Sequence, residues 1–250
     1  MIASFPMYDR PETAAAHNRL WAAVRSNLSV RSVAAPRLLD RTKDLWDHWE
    51  APDLFLSQTC GLPYRARLHG KVQIVGVPNY QLEGCPPGYY ASKIVVRQDD
   101  TAVAPSDWQN KRMAFNELRS QSGWAAMLNH AVKLGASFLS AQETGSHYAA
   151  AKSVAQGRAD IACIDAQTWR MIWAFDPWAK GLKVIDQTDP TPGLPLITAG
   201  STLPTAVAAI RDSFEEAVTE LTNADRSLLC LYGVVDIPAD AYLAVPTPGP

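Results

Sequence analysis

The chain alternates between short continuous apolar runs and longer stretches whose apolar residues recur every three or four positions. The short runs, such as "KVQIVGV" and "DIACI", predict buried strands. "AAAHNRLWAAVRSNL" carries Leu20, Trp21, Val24 and Leu28 at helical spacing and predicts a helix. "MIASFPMY" before it reads as a first strand, and Pro11 suits a first helical turn. "TKDLWDHWE" predicts a short helix with Thr42 as its cap. "PDLFLSQTCGLPY" reads as a short strand running into a polar, glycine-containing loop. "GYYASKIVVRQDD" is strongly β in composition. The second half repeats the rhythm. "SQSGWAAMLNHAVKLG" predicts a helix closed by Gly135. "FLSA" is a strand, followed by a loop and a helix closed by Gly157. "DIACI" leads through a short loop into the helix "AQTWRMIWAF". Two strands then flank a proline-rich loop, and "LPTAVAAIRDSFEEAVTEL" is an amphipathic helix. The tail reads as a short helix and an extended end.

Strands alternating with helices argue an α/β protein with mainly parallel sheet. In such sheets ligands sit beyond the carboxyl ends of strands, where loops lead into helices. The polar clusters fall at those places. "SQTCG" follows "DLFL", "SQSG" follows "MAF", "ETGSH" follows "SFLSA", and "DAQT" follows "DIACI".

Composition narrows the classes. The 250 residues suit one large domain or two modest ones, and 47% hydrophobic residues supply a core. A net charge of −2 argues against non-specific nucleic-acid binding, which needs basic surface. No apolar run approaches the roughly 20 residues of a membrane helix. The N-terminus has no basic lead, and Asp9 and Arg10 interrupt its apolar stretch, so it does not read as a signal peptide. The expectation is a cytoplasmic chain as written, periplasmic if the natural start lies upstream. Cys60, Cys85, Cys163 and Cys230 form no CxxC pair and give no zinc signature. They read as reduced and mostly buried, a Cys60–Cys85 disulfide requiring an oxidising compartment.

"SQSGW" places two hydroxyls and a glycine at a helix start. That arrangement offers hydroxyl donors, backbone N–H groups and the positive end of the helix dipole, which together bind phosphate, sulfate or carboxylate. The same serines also serve as plain N-caps. Thr144, Ser146 and His147 open a second helix, where an imidazolium would suit an anion. Asp165 ends a buried strand and either caps the next helix or receives a cationic ligand group. His17, His48, His69 and His130 read as helix or surface residues without a role. Tyr89 and Tyr90 either line a cleft or pack beneath one. The sequence holds no HExxH, GxSxG, GxGxxG or P-loop lysine motif. The residues alone support an anion-binding α/β protein and no named reaction.

The ordered set "SQTCG", "GYYASKIVVR", "SQSGW" and "TGSHYAAAKSVAQGRADIACIDAQTW" resembles the phosphate/phosphite/phosphonate family of ABC-transporter substrate-binding proteins over nearly the whole chain. The resemblance implies a type 2 periplasmic-binding-protein fold: two α/β lobes joined by two crossing strands, with the ligand in the cleft. Lobe one would be residues 1–93 plus 199–250, and lobe two residues 94–198. It implies ligand contacts at Ser120, Ser122 and Gly123, at Thr144, Ser146 and His147, and at Tyr90. Tyr8, Ser57 and Thr59 would be the contacts of lobe one. Asp165 falls near the acid that receives a ligand ammonium. Gln121 stands where a small hydroxyl residue is usual. The resemblance implies a small anionic ligand, an ABC permease as partner, and no cofactor, metal or catalytic residue. Two other readings share the fold: a cytoplasmic enzyme of the menaquinone-pathway or thiamine-pyrimidine type, and a ligand-sensing module.

Overall fold

The computed structural model describes residues 1–248, and the chain in it divides into two units. The first holds Met1–Gly88 and Pro192–Leu243; the second holds Tyr89–Thr191 with the tail from Ala244. The expected lobes ended at residues 93 and 198. The chain passes between units a few residues earlier at each point, because Ser92 already pairs in the second sheet and Leu196 in the first.

The first unit is built on strands β1 (Ile2–Ala3), β2 (Leu54–Gln58), β3 (Val72–Pro78), β11 (Leu196–Ala199) and β12 (Val234–Val235), in the order β1-β2-β11-β3-β12. Helix α1 (Ala14–Val30) buries Leu20, Trp21, Val24 and Leu28, the helical stripe expected from the sequence, together with Ala16 and His17. It shares a core with α7 (Pro204–Thr219). Phe5 lies edge-on to Trp21 and to Phe214, at 5.9 and 5.7 Å between ring centroids. The short helix α2 (Leu45–Trp49) is capped by Asp44, whose carboxylate accepts from Trp46 N at 2.9 Å. Thr42, the expected cap, instead bonds the Asp40 carboxylate through its amide and hydroxyl. Helix α3 (Gly61–Pro63) follows β2 and continues as a π-helical turn over Tyr64–Leu68. Two short helices, α8 (Asn223–Leu229) and α9 (Ala239–Leu243), complete the unit. The second replaces the expected extended end.

The second unit carries β4 (Tyr89–Tyr90), β5 (Ser92–Arg97), β6 (Arg112–Phe115), β7 (Ser140–Glu143), β8 (Ile161–Asp165) and β9 (Leu182–Gln187). Its main sheet has the order β7-β6-β8-β5-β9, and β10 (Thr191–Pro192) pairs with β4. Helices α4 (Ala126–Leu134), α5 (His147–Ala155) and α6 (Ala166–Phe175) connect its strands. Gly135, at φ 65, closes α4 in the left-handed conformation that glycine adopts without strain. α6 begins directly after β8, with no loop between them.

Both sheets are mixed, not mainly parallel. β6 runs parallel to β7 and β8, whereas β5 is antiparallel to β8 and β9, and β11 to β2 and β3. β5 and β11 are the first main-sheet strands after each passage between units, and β12 is also antiparallel to β3. Apolar periodicity marks a strand as buried without stating which way it runs.

Candidate functional site

Strands β6, β7 and β8 are parallel neighbours, so their carboxyl ends share one edge of the second sheet. That edge gathers polar residues from the two loops that follow β6 and β7, and Asp165 at the end of β8. Asn116 directly follows β6. Thr144 donates to Phe115 O twice, through its amide and its hydroxyl, each at 2.8 Å. Gly145 N donates to Asn116 O at 2.8 Å. These bonds tie the loop after β7 to the end of β6, and so set the position of His147, the first residue of α5.

Ser120 is the N-cap of a π-helical turn, Gln121–Ala125, that runs on into α4. Its Oγ accepts from Gly123 N at 3.0 Å and lies 3.4 Å from Ser122 Oγ. Ser122 Oγ lies 2.7 Å from His147 Nε2. π-helical turns inside helices are frequent at functional sites. Gly123 is required by close approach: a Cβ there would lie 2.0 Å from Asn116 Oδ1 and 3.0 Å from His147 Cε1. Asn116, Ser120, Ser122, Gly123 and His147 therefore form one contiguous cluster within this unit. Asn116 was not legible as a member, since a lone Asn after a strand reads as a turn residue.

The electrostatics differ from the expected imidazolium. Burial pushes His147 down to about 4, a backbone hydrogen bond at Cys163 opposing it in part. The ring is neutral near neutral pH. Beneath it on β8, burial pushes the Cys163 thiol up to about 12, so it stays protonated. The cluster offers hydroxyls, an amide and the start of a long helix, whose first backbone N–H groups have no intrahelical acceptor.

Most of the other expected residues have local partners of their own. Ser146 Oγ caps α5 by accepting from Ala149 N at 3.1 Å. Asp165, 2% exposed, caps α6 by accepting from Thr168 N at 2.7 Å. Tyr90 is buried on β4. In the first unit, Tyr8 is buried edge-on to Tyr80, and Ser57 Oγ lies 2.8 Å from Ser4 Oγ. Thr59 follows β2, and its Oγ1 is buried without a hydrogen-bond partner among the described residues. His17, His48 and His130 lie in helices α1, α2 and α4, as expected, and are buried there facing Asp9, Asp40 and Asp186. All four cysteines are free; Cys60 and Cys163 are buried, and Cys85 and Cys230 are half-buried. Among the described residues no His, Cys, Asp or Glu group is arranged to hold a metal, and no helix is long and apolar enough to cross a membrane.

Comparison with known proteins adds a family and a fold. Residues 53–234 match the family model described as ABC transporter, phosphonate, periplasmic substrate-binding protein. No curated protein sequence matches the chain. Among solved structures, PhnD1 from Prochlorococcus marinus in complex with methylphosphonate is 14% identical with a TM-score of 0.71, covering 96% of this chain and 94% of that one. A binding protein component of an ABC phosphonate transporter from Pseudomonas aeruginosa is 15% identical with a TM-score of 0.70, covering 96% and 83%. A Xanthomonas citri protein bound to chloride ion is 11% identical with a TM-score of 0.71, covering 98% of each chain. At these identities the likenesses establish the two-lobed periplasmic-binding-protein fold.

Proposed function

The chain belongs to the family of periplasmic phosphonate-binding proteins of ABC transporters, and from that premise we propose that it holds a small phosphorus oxyanion on the cluster of Ser120, Ser122, Gly123 and His147. The family is one of binding components and not of enzymes, so the cluster serves recognition and not turnover. The observation that carries the reading is the Ser122–His147 contact at 2.7 Å, set at the start of a long helix and beyond the carboxyl ends of three parallel strands. Hydroxyl and backbone donors at a helix start suit the oxygens of a tetrahedral anion, and the helix dipole favours its charge. Thr144 and Ser146 contribute by holding His147 in place. Asp165 is engaged as a cap, which leaves a ligand ammonium without a dedicated acid at that residue. An ABC permease partner and a periplasmic place of action complete the proposal, both following from the family.

A thermal-shift screen of the purified chain tests it. The panel is phosphate, phosphite, methylphosphonate, sulfate and small carboxylates. A ligand at a hundred times its dissociation constant stabilises by about 2.7 kcal/mol, a readily seen rise in Tm. A rise with a phosphorus oxyanion is expected. Silence from all three phosphorus compounds, or a response to carboxylates alone, contradicts it.

A further inference from the structure

The serine hydroxyls of the cluster can donate to the oxygens of an anion, and Asn116 Oδ1 cannot. Asn116 Oδ1 is an acceptor, it is buried, and it has no hydrogen-bond partner among the described residues. A buried acceptor left unpaired is costly, so its persistence calls for a reason. Its place supplies one. The oxygen lies against Gly123, where a Cβ would come within 2.0 Å of it, and that same Cβ would meet the His147 ring at 3.0 Å. Asn116 thus faces the turn that carries Ser122, on the side of the imidazole. The terminal amide torsion of asparagine is broad, so a small rotation presents Oδ1 to a bound molecule.

An acceptor beside a bound anion repels an oxygen that bears only lone pairs. It attracts one that bears hydrogen. We propose that Asn116 is a specificity-determining residue: its Oδ1 accepts from a P–OH group, so the site takes a phosphorus oxyanion in its singly ionised, hydroxyl-bearing form. This rests on the reading that the cluster binds a phosphorus oxyanion. The neutrality of His147 is consistent with it, since a neutral ring supplies no charge to balance a second negative charge on the ligand.

Methylphosphonate and methanesulfonate separate the two ideas. Both are tetrahedral, carry the same methyl group and are available as single-charged anions near neutral pH. Only the phosphonate anion carries a hydroxyl. Calorimetric titration of the wild-type chain is expected to show methylphosphonate binding at least about 100-fold more tightly, because a site built to bond a hydroxyl rejects the analogue that lacks it. In Asn116→Ala the ratio is expected to fall at least tenfold, mainly through weaker methylphosphonate binding. The wild-type comparison needs no variant, so poor folding of Asn116→Ala leaves the test intact, and Asn116→Leu serves as the second acceptor-free replacement. Comparable affinity of the wild type for the two anions overturns the inference while leaving anion binding standing. A ratio unchanged in the acceptor-free variants also overturns it. Absence of binding by any phosphorus oxyanion overturns the underlying reading instead.

Discussion

At the scale of single residues, His147 carries the sharpest expectation. Its imidazole has an ordinary value of 6.5 and is pushed by burial to about 4 in the folded chain. The depressed value means that folding favours the neutral ring. The stability it contributes is complete above pH 6.5 and is lost as the pH falls toward 4. The loss is on the order of 2 kcal/mol. Urea unfolding of the wild type and His147→Gln, at pH 7 and pH 4.5, reads it directly. The wild type is expected to lose more stability over that interval; equal losses would show that burial does not shift the ring. Asp165 caps α6 through Oδ1, and the proposed binding of a simple oxyanion assigns it no ligand contact. Asp165→Ala is expected to cost about 1 kcal/mol of stability, Asp165→Asn much less, and neither to weaken binding of a simple oxyanion by more than twofold. A large affinity loss in Asp165→Asn with intact stability would return that residue to the site.

Elements decide whether those residues meet. Ser122 and His147 are far apart in sequence, and they meet because β6 and β7 are adjacent and parallel, with the Thr144 bonds to Phe115 O fixing the second loop. Gly123 is the tightest point of that assembly. Gly123→Ala places a methyl group against Asn116 Oδ1 and His147 Cε1, and so is expected to cost about 1–3 kcal/mol through overpacking. It should also weaken anion binding at least tenfold, by parting Asn116 from the turn. Denaturant unfolding and calorimetry measure the two effects; an unchanged Tm and affinity would mean that the turn is looser than the structure has it. The hydroxyl clusters were legible in sequence because they interrupt apolar runs at helix starts. The partner of each was not legible, because pairing across loops depends on strand order. A lone Asn after a strand reads as a turn residue, so Asn116 carries no signal of its own, and the neutrality of His147 depends on burial that its own segment does not reveal.

Over the whole molecule, the alternation of strands and helices identified the α/β class and the resemblance identified the family, whereas strand direction stayed hidden. The α1 stripe of Leu20, Trp21, Val24 and Leu28 is both the clearest pattern in the sequence and part of the first unit's core. Trp21, 2% exposed and edge-on to Phe5, is expected to cost about 3–5 kcal/mol when replaced by Ala. Circular-dichroism melting would detect that loss, and a cost below 1 kcal/mol would mean that the helix is loosely packed. The clearest expectation for function remains at the second unit's cluster. The most direct measurement is calorimetric titration of methylphosphonate into the wild type and Ser122→Ala side by side, with folding of both checked by Tm. Saturable binding by the wild type, weakened at least tenfold in the folded variant, is the predicted result. No heat from the wild type, or equal affinity in both, would contradict the claim that the Ser122–His147 cluster holds a phosphorus oxyanion.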